Sequence, residues 1–257
     1  MKCPLGTFTT LFLLLAGGLH AEIHKFEKAT IESLGIAIFD QDTRAAVATD
    51  LLFAQKIDPQ KEGLRGWIVE GDAKKMLVRF IREKEGVLEA FYDVTFDARK
   101  QPVIVEPTDR KLSDHQHAQF KARSLALKNI SRPASQNYNL VMLPNPASDG
   151  FLVYALAATT EANAVMVGGH YRFMISRDGG RLERSDELFK SFMVLSTKPK
   201  NLPPGKKLEA LTMTTLVSDM PLETHVYLSL LHRMPFYVAT PDQHVWKVQD
   251  GKMQIIK

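Results

Sequence analysis

Cysteine is nearly missing from this chain. Its 257 residues hold one cysteine, Cys3, and that residue stands ahead of the apolar core of an N-terminal leader. Residues 1–21 read as a secretory signal peptide: Met1-Lys2, the apolar run Leu11-Phe12-Leu13-Leu14-Leu15-Ala16, Gly17-Gly18, then Leu19-His20-Ala21 before Glu22. Cleavage after the small Ala21 leaves a mature chain that begins near Glu22 and carries no thiol. Cysteine nucleophiles, zinc–thiolate sites, iron–sulfur clusters and disulfides are thereby excluded. A chain of this length buries enough apolar surface to fold without cross-links, even in an oxidising compartment. The apolar run is far short of the roughly 20 residues of a spanning helix. No stable membrane span is therefore expected after cleavage, an uncleaved anchor being the alternative.

A strong excess of one charge is also missing. Lys and Arg number 33 against 29 Asp and Glu, a formal charge of +4, with a pI near 9.0. The basic pairs Lys74-Lys75, Arg99-Lys100, Arg110-Lys111 and Lys206-Lys207 are scattered in or beside predicted turns, as solvated loops would place them. Nucleic acid is not expected as a partner. With 45% hydrophobic and 24% charged residues the composition is that of an ordinary globular protein, one large domain or two small ones.

Recognisable catalytic motifs are the third absence. Gly205-Lys206-Lys207 lacks the upstream glycine and following hydroxyl of a phosphate-binding loop. No serine sits between glycines as in a nucleophile elbow, and no His-Glu pair recurs at metalloprotease spacing. The acidic cluster Glu183, Asp186 and Glu187 lacks the spacing of a calcium loop. His115 and His117 would fall on roughly opposite sides of a helix, so they do not make a metal pair. No cofactor is expected.

What is present is pattern. Asp40 can cap a helix from about 41 to 55, with Val47, Leu51 and Ala54 in its apolar stripe. Three alternating segments follow, 66–70, 75–82 and 88–96. In the last, Leu88, Ala90, Tyr92, Val94 and Phe96 oppose Glu89, Asp93, Thr95 and Asp97, which predicts an antiparallel meander with one dry face. Residues 102–106 extend it. Ser113-Asp114-His115-Gln116 fits a capping box opening a second helix, 114–130. The polar stretch Arg132–Asn137 marks a domain boundary or a loop, dividing an N-terminal α+β region (22–132) from a mainly antiparallel β region (133–257). There, 138–143 and 151–158 read as a hairpin. Strands are predicted at 165–176, 192–196, 208–217, 224–231, 236–239, 245–248 and 253–256. The expected fold is α+β, mostly antiparallel sheet with two main helices.

Two rows of functional groups stand out if these segments are strands. In Gly168-Gly169-His170-Tyr171-Arg172-Phe173 the paired glycines mark a bulge or close backbone approach, and His170 shares a face with Arg172. In 223–229, Glu223, His225, Tyr227 and Ser229 would line one face, where neighbours could orient His225 for acid–base work. A solvent-facing strand surface is the plainer reading of both rows.

Ala48-Thr49-Asp50, Gly66-Trp67-Ile68-Val69-Glu70, Tyr92-Asp93-Val94-Thr95-Phe96-Asp97, Gly168-Gly169-His170-Tyr171-Arg172 and Tyr237-Val238-Ala239-Thr240-Pro241 together resemble a group of exported Gram-negative proteins with no assigned activity. That resemblance implies a periplasmic setting. The C-terminal part also looks somewhat like a JAB-type metallopeptidase domain, whose motif needs two histidines flanking one residue. Here the stretch is His225-Val226-Tyr227, so the resemblance implies a metal-free relative. The expected function is non-enzymatic binding of an envelope protein or ligand through sheet surface. The alternative is an envelope hydrolase with His225 in a site assembled by the fold.

Overall fold

The computed structural model describes residues 22–97, 101–131, 137–159, 161–199, 205 and 207–257. The expected leader, Arg99-Lys100, Lys206 and most of the 132–137 boundary lie outside the described residues. The fold is α+β, with mostly antiparallel sheets. Among the described residues no helix is long and apolar enough to cross a membrane.

The predicted meander is present as β1 (Leu64–Gly71), β2 (Lys75–Lys84), β3 (Val87–Asp97) and β4 (Val103–Val105), in that order. Its expected single dry face is not. Asp93 pairs with Arg79 and Ala90 with Ile81, so Phe91 and Tyr92 together stand opposite Phe80. This bulge reverses the phase of alternation within β3. Phe91 and Val94 therefore pack with Ala48, Leu52, Val78 and Phe80 on one face, while Ala90 packs with Ile68, Ile81 and Leu112 on the other. Both faces are covered. Asp93, expected to be wet, is buried and grips the Arg79 guanidinium through both oxygens at 2.8 and 2.7 Å.

Helix α2 (Asp114–Lys128) opens with the predicted capping box: Gln116 N–H donates to Ser113 Oγ at 3.2 Å, and Ser113 N–H donates to Gln116 Oε1 at 3.0 Å. The hairpin is likewise present as β5 (Tyr138–Pro144) and β6 (Phe151–Ala157), and β6 is buried along its whole length. The single strand expected at 165–176 is divided into β7 (Ala164–Met166) and β8 (Tyr171–Ile175). The glycine pair makes the break: Gly169 has φ +87°, and a Cβ on Gly168 would meet the Ser191 carbonyl at 2.5 Å. With β9 (Leu182–Glu187), a sheet of order β5-β6-β8-β9 forms, while β7 pairs with β10 (Val194–Ser196).

Two helical predictions need correction. Helix α1 runs Lys28–Ala54, so Asp40 lies mid-helix, 3.4 Å from Arg44, rather than capping it. Residues 224–231, predicted as a strand, form helix α3 (Glu223–Leu231), buried on nearly every side. It carries the chain between β11 (Leu211–Thr214) and β12 (Phe236–Ala239), which pair in parallel, as a helical crossover permits. Antiparallel β13 (Val245–Gln249) and β14 (Lys252–Ile255) complete that sheet. The first half of α1 contributes Ile31, Leu34 and Ile38 to a core shared with α3, β5, β6 and the C-terminal sheet. Its second half lends Ala48 and Leu52 to the meander's core.

Gly35 sets the distance between α1 and α3. A Cβ there would lie 2.4 Å from Val226 Cβ and 2.8 Å from the Glu223 carbonyl. Replacing a helical glycine by alanine ordinarily stabilises by about 1 kcal/mol. Gly35→Ala is expected to destabilise instead, by about 1–3 kcal/mol through overpacking, as read from urea unfolding. A stabilised variant would show that the helices can move apart freely.

Candidate functional site

Arg172 lies at the centre of the sheet, directly opposite Tyr154 on β6 and Asp186 on β9. Its guanidinium, 1% exposed, donates from Nε and Nη2 to Asp186 Oδ2 at 3.1 and 2.7 Å, and from Nη1 to Glu223 Oε1. Nη2 also donates to the His24 carbonyl, and the Phe26 ring lies 4.9 Å from the guanidinium carbon. Tyr154 O–H donates to Glu223 Oε1 at 2.9 Å, while Arg184 donates to the other Asp186 oxygen at 2.7 Å. Burial opposes the Arg172 charge, but the charges of Glu223 and Asp186 more than offset it and hold its pKa above the ordinary value. Two arginines thus meet two carboxylates in the interior.

His170 is 2% exposed and has both ring nitrogens engaged by backbone: Nδ1 accepts from Ala157 N–H at 3.1 Å, and Nε2 donates to the Met166 carbonyl at 3.0 Å. His225 Nδ1 accepts from Leu222 N–H at 2.8 Å. Burial pushes both imidazoles down to about 4, with His170 lowering its neighbour His225 further. Tyr227 O–H donates to Asp42 Oδ2 at 2.8 Å, and Asn139 donates to Asp42 Oδ1 at 3.0 Å. Burial raises the pKa values of both Asp42 and Tyr227. The Ser229 hydroxyl lies 2.8 Å from the Met234 carbonyl and 3.1 Å from that of Val248.

The expected row of Glu223, His225, Tyr227 and Ser229 is therefore dispersed around a helix, because alternate residues share a face only on a strand. Glu223 reaches β8, His225 closes its own first turn, Tyr227 holds α1 and Ser229 meets β13. The other predicted face is equally dry: His170 and Arg172 are buried, not solvated. His115 stands at the start of α2, 5.7 Å from the Phe151 ring. Among the described residues no group of three His, Cys, Asp or Glu side chains could hold a metal ion.

No family model, curated protein or solved structure matches this chain. Its chemistry is therefore a matter of its own geometry.

Surface clefts among the described residues include one of about 160 Å³ beside Tyr227, Asp42 and Asn139, and two larger ones. One of about 570 Å³ lies beside Asp186 and is lined by Glu22, Lys25, Phe189, Leu216 and Asp219. Several of its charges are paired, Lys25 with Glu22 and Asp219, and Asp186 with Arg172 and Arg184. The other, about 350 Å³, lies where α1, β1, α2 and the β5–β6 hairpin meet. Gln41 of α1 and Gln119 of α2 line it, each 7% exposed, and neither Oε1 has a hydrogen-bond partner. Behind them a space of about 10 Å³, room for one water, is bordered by Gln41, Arg123 and Trp67. Arg123 lies 4.7 Å over the Trp67 ring, its Nε lacks an acceptor, and burial pushes its pKa down to about 10. Half of the six unpartnered buried side-chain atoms among the described residues thus gather at one place. Such atoms cost about 1–3 kcal/mol each when unmet. Sequence reasoning passed over Gln41 and Gln119, since glutamine within a helix carries no signal of burial.

Removing Arg172 would take the cationic partner from buried Glu223, leaving it Tyr154 alone, and would leave Asp186 only Arg184 and the His24 N–H. Arg172→Met is expected to lose about 3–5 kcal/mol in denaturant unfolding, and an unchanged midpoint would refute the hub. The histidines give a pH dependence. Each binds a proton near 6.5 when unfolded but only near 4 when folded. Stability is thus complete above pH 6.5 and falls as pH drops toward 4, by about 1.4 kcal/mol per pH unit for each histidine. Unfolding free energies at pH 7 and pH 5 measure this, and His225→Asn is expected to flatten the slope.

Proposed function

We propose that this chain is exported to the periplasm of a Gram-negative bacterium and works there as a non-enzymatic binding protein, with the 350 Å³ cleft as its binding site. The observation that carries the reading is the cleft itself, whose lining includes Gln41 and Gln119, two mostly buried glutamines whose amide oxygens have no hydrogen-bond partner. A glutamine amide in a cleft can accept from a bound ligand through its oxygen or donate to it through its N–H groups. The volume falls in the range of about 300–1,000 Å³ usual for small-molecule sites. The leader-like order of residues 1–21 supports export. Ile23 and His24, just beyond the expected cleavage point, already belong to the folded body.

A hydrolase centred on His225 has little to recommend it. A general base works best with a pKa near the operating pH, and this imidazole is pushed down to about 4, with Nδ1 held by a backbone N–H.

Export is tested by expressing the full chain in a Gram-negative host and sequencing the N-terminus of the periplasmic fraction. Glu22 is the expected first residue, and a cytoplasmic product with Met1 intact would overturn export. Binding is tested by native mass spectrometry of protein released gently from the periplasm. A small-molecule adduct is expected on the wild type and not on Met142→Trp, whose larger side chain would fill the cleft. A wild type without adduct, or an adduct retained by Met142→Trp, would overturn the site.

A further inference from the structure

His170 follows the glycine pair that breaks β7 from β8, and its ring ties the break to the sheet. Nδ1 accepts from Ala157 N–H at the end of β6, and Nε2 faces the Met166 carbonyl at the end of β7. A backbone N–H can only donate, so Nδ1 carries no proton and the ring is the neutral Nε2–H form. His225 is fixed in the same way: its Nδ1 accepts from Leu222 N–H and so closes the first turn of α3. The two rings are near enough for the charge of His170 to act on His225. Both are buried.

We propose that His170 and His225 form an acid-sensitive latch, whose protonation releases the end of β6, the β7–β10 ribbon and the first turn of α3 while the meander and α2 stay folded. A second proton must enter each ring at Nδ1, where it would point at the N–H of Ala157 or Leu222. A protonated imidazole donates from both nitrogens, so each bond becomes a clash of two donors. Two cations would then face each other in the interior. Among the described residues no carboxylate bonds to either ring.

The neighbouring charges do not relieve this. Glu223 and Asp186 are matched by Arg172, and neither acid raises the pKa of either histidine. β7 and β10 contribute no titratable side chain. Asp42 faces α3 from α1, held by Tyr227 and Asn139. Burial raises its pKa, so its own protonation favours the closed form and works against the latch. Ala157, Met166 and Tyr227, from three of the elements that the latch joins or adjoins, line the 160 Å³ cavity, and opening admits water there.

Each ring binds a proton near 6.5 when freed but near 4 when closed. The latch is complete above pH 6.5 and is lost as pH falls toward 4. Between pH 7 and pH 5 the opening equilibrium rises about 20-fold for one histidine, and by the product of two such factors for both.

Hydrogen–deuterium exchange of the purified protein at pH 7 and pH 5, corrected for intrinsic exchange rates, tests the latch. Protection of Ala157, of 164–170 and of 222–228 is expected to fall by at least about tenfold at pH 5, and that of β1, β2, β3 and α2 by less than about threefold. In His170→Asn/His225→Asn the amide oxygens can accept the same backbone N–H groups but take no proton, so protection is expected to hold at both pH values. Histidine 15N shifts of the wild type need no variant: both rings are expected to show a bare Nδ1 at pH 7 and to gain a proton in step with the opening. Unchanged protection, loss of protection throughout the molecule at once, or an equal loss in the folded double variant would overturn the latch. Protonation of both rings without local opening would do the same.

Discussion

The guanidinium of Arg172 is the constraint on which the rest of the architecture depends. It is the largest of the fully buried side chains, and it draws β6, β8, β9, the start of α3 and residues 24–26 to one point. Buried ion pairs are weak evidence for net stability, because desolvation of the charges offsets much of their attraction. What this one supplies is register. Tyr154, Arg172 and Asp186 stand directly opposite one another on three strands. A slip of one residue would turn Arg172 onto the other face, where Tyr171, Phe173 and Ile175 pack with α2. A charge in that apolar layer would be without partners, so the slipped sheet is excluded energetically.

The same hub fixes α3. Glu223 begins that helix and is fully buried on Arg172, and Gly35 lets α1 approach closely enough to cover it. These long-range contacts explain why Glu223-Thr224-His225-Val226-Tyr227-Leu228-Ser229 misleads as a sequence. Its polar and apolar residues alternate as on a half-wet strand, yet Glu223, His225, Tyr227 and Ser229 each make a hydrogen bond in the interior. Period-two alternation reports exposure only where polar residues face water. Here they face Arg172, Leu222, Asp42 and the β13 backbone.

Local signals, by contrast, were legible. The Ser113–Gln116 capping box, the β5–β6 hairpin around Asn145 and Gly150, and the limits of β1, β2 and β3 all depend on neighbours in the chain or on one face of one sheet. The first half of α1 was not legible. Gly35 and β-branched Ile31, Ile36 and Ile38 are poor helix formers, and packing on α3 and β14 overrides that preference. The bulge opposite Phe80 was hidden as well, since the run Leu88 to Phe96 alternates without a visible break while its pairing shifts by one residue. Of the candidate residues, His170, Arg172, Glu223, His225, Tyr227 and Ser229 were conspicuous for their chemistry, and the fold uses that chemistry internally.

Adjacent residues of α1 show how the cleft arises from this arrangement. Asp42 is gripped by Tyr227 of α3 and Asn139 of β5, which fixes the distance between α1 and the β5–β6 hairpin. Gln41, one step earlier on the helix, lines the 350 Å³ cleft together with Met142 and Phe151 of the same hairpin. One side chain is thus committed to holding the elements apart, and its neighbour is left in the gap with an oxygen unmet. If the gap were only a packing defect, leucine at position 41 would fit the space and remove the desolvation cost. Glutamine there, with Gln119 in the same lining and Arg123 stacked on Trp67 nearby, sets polar groups around the gap. Charged and aromatic residues thus hold the elements in place, and the amides of Gln41 and Gln119 are left in the lining of the cleft between them.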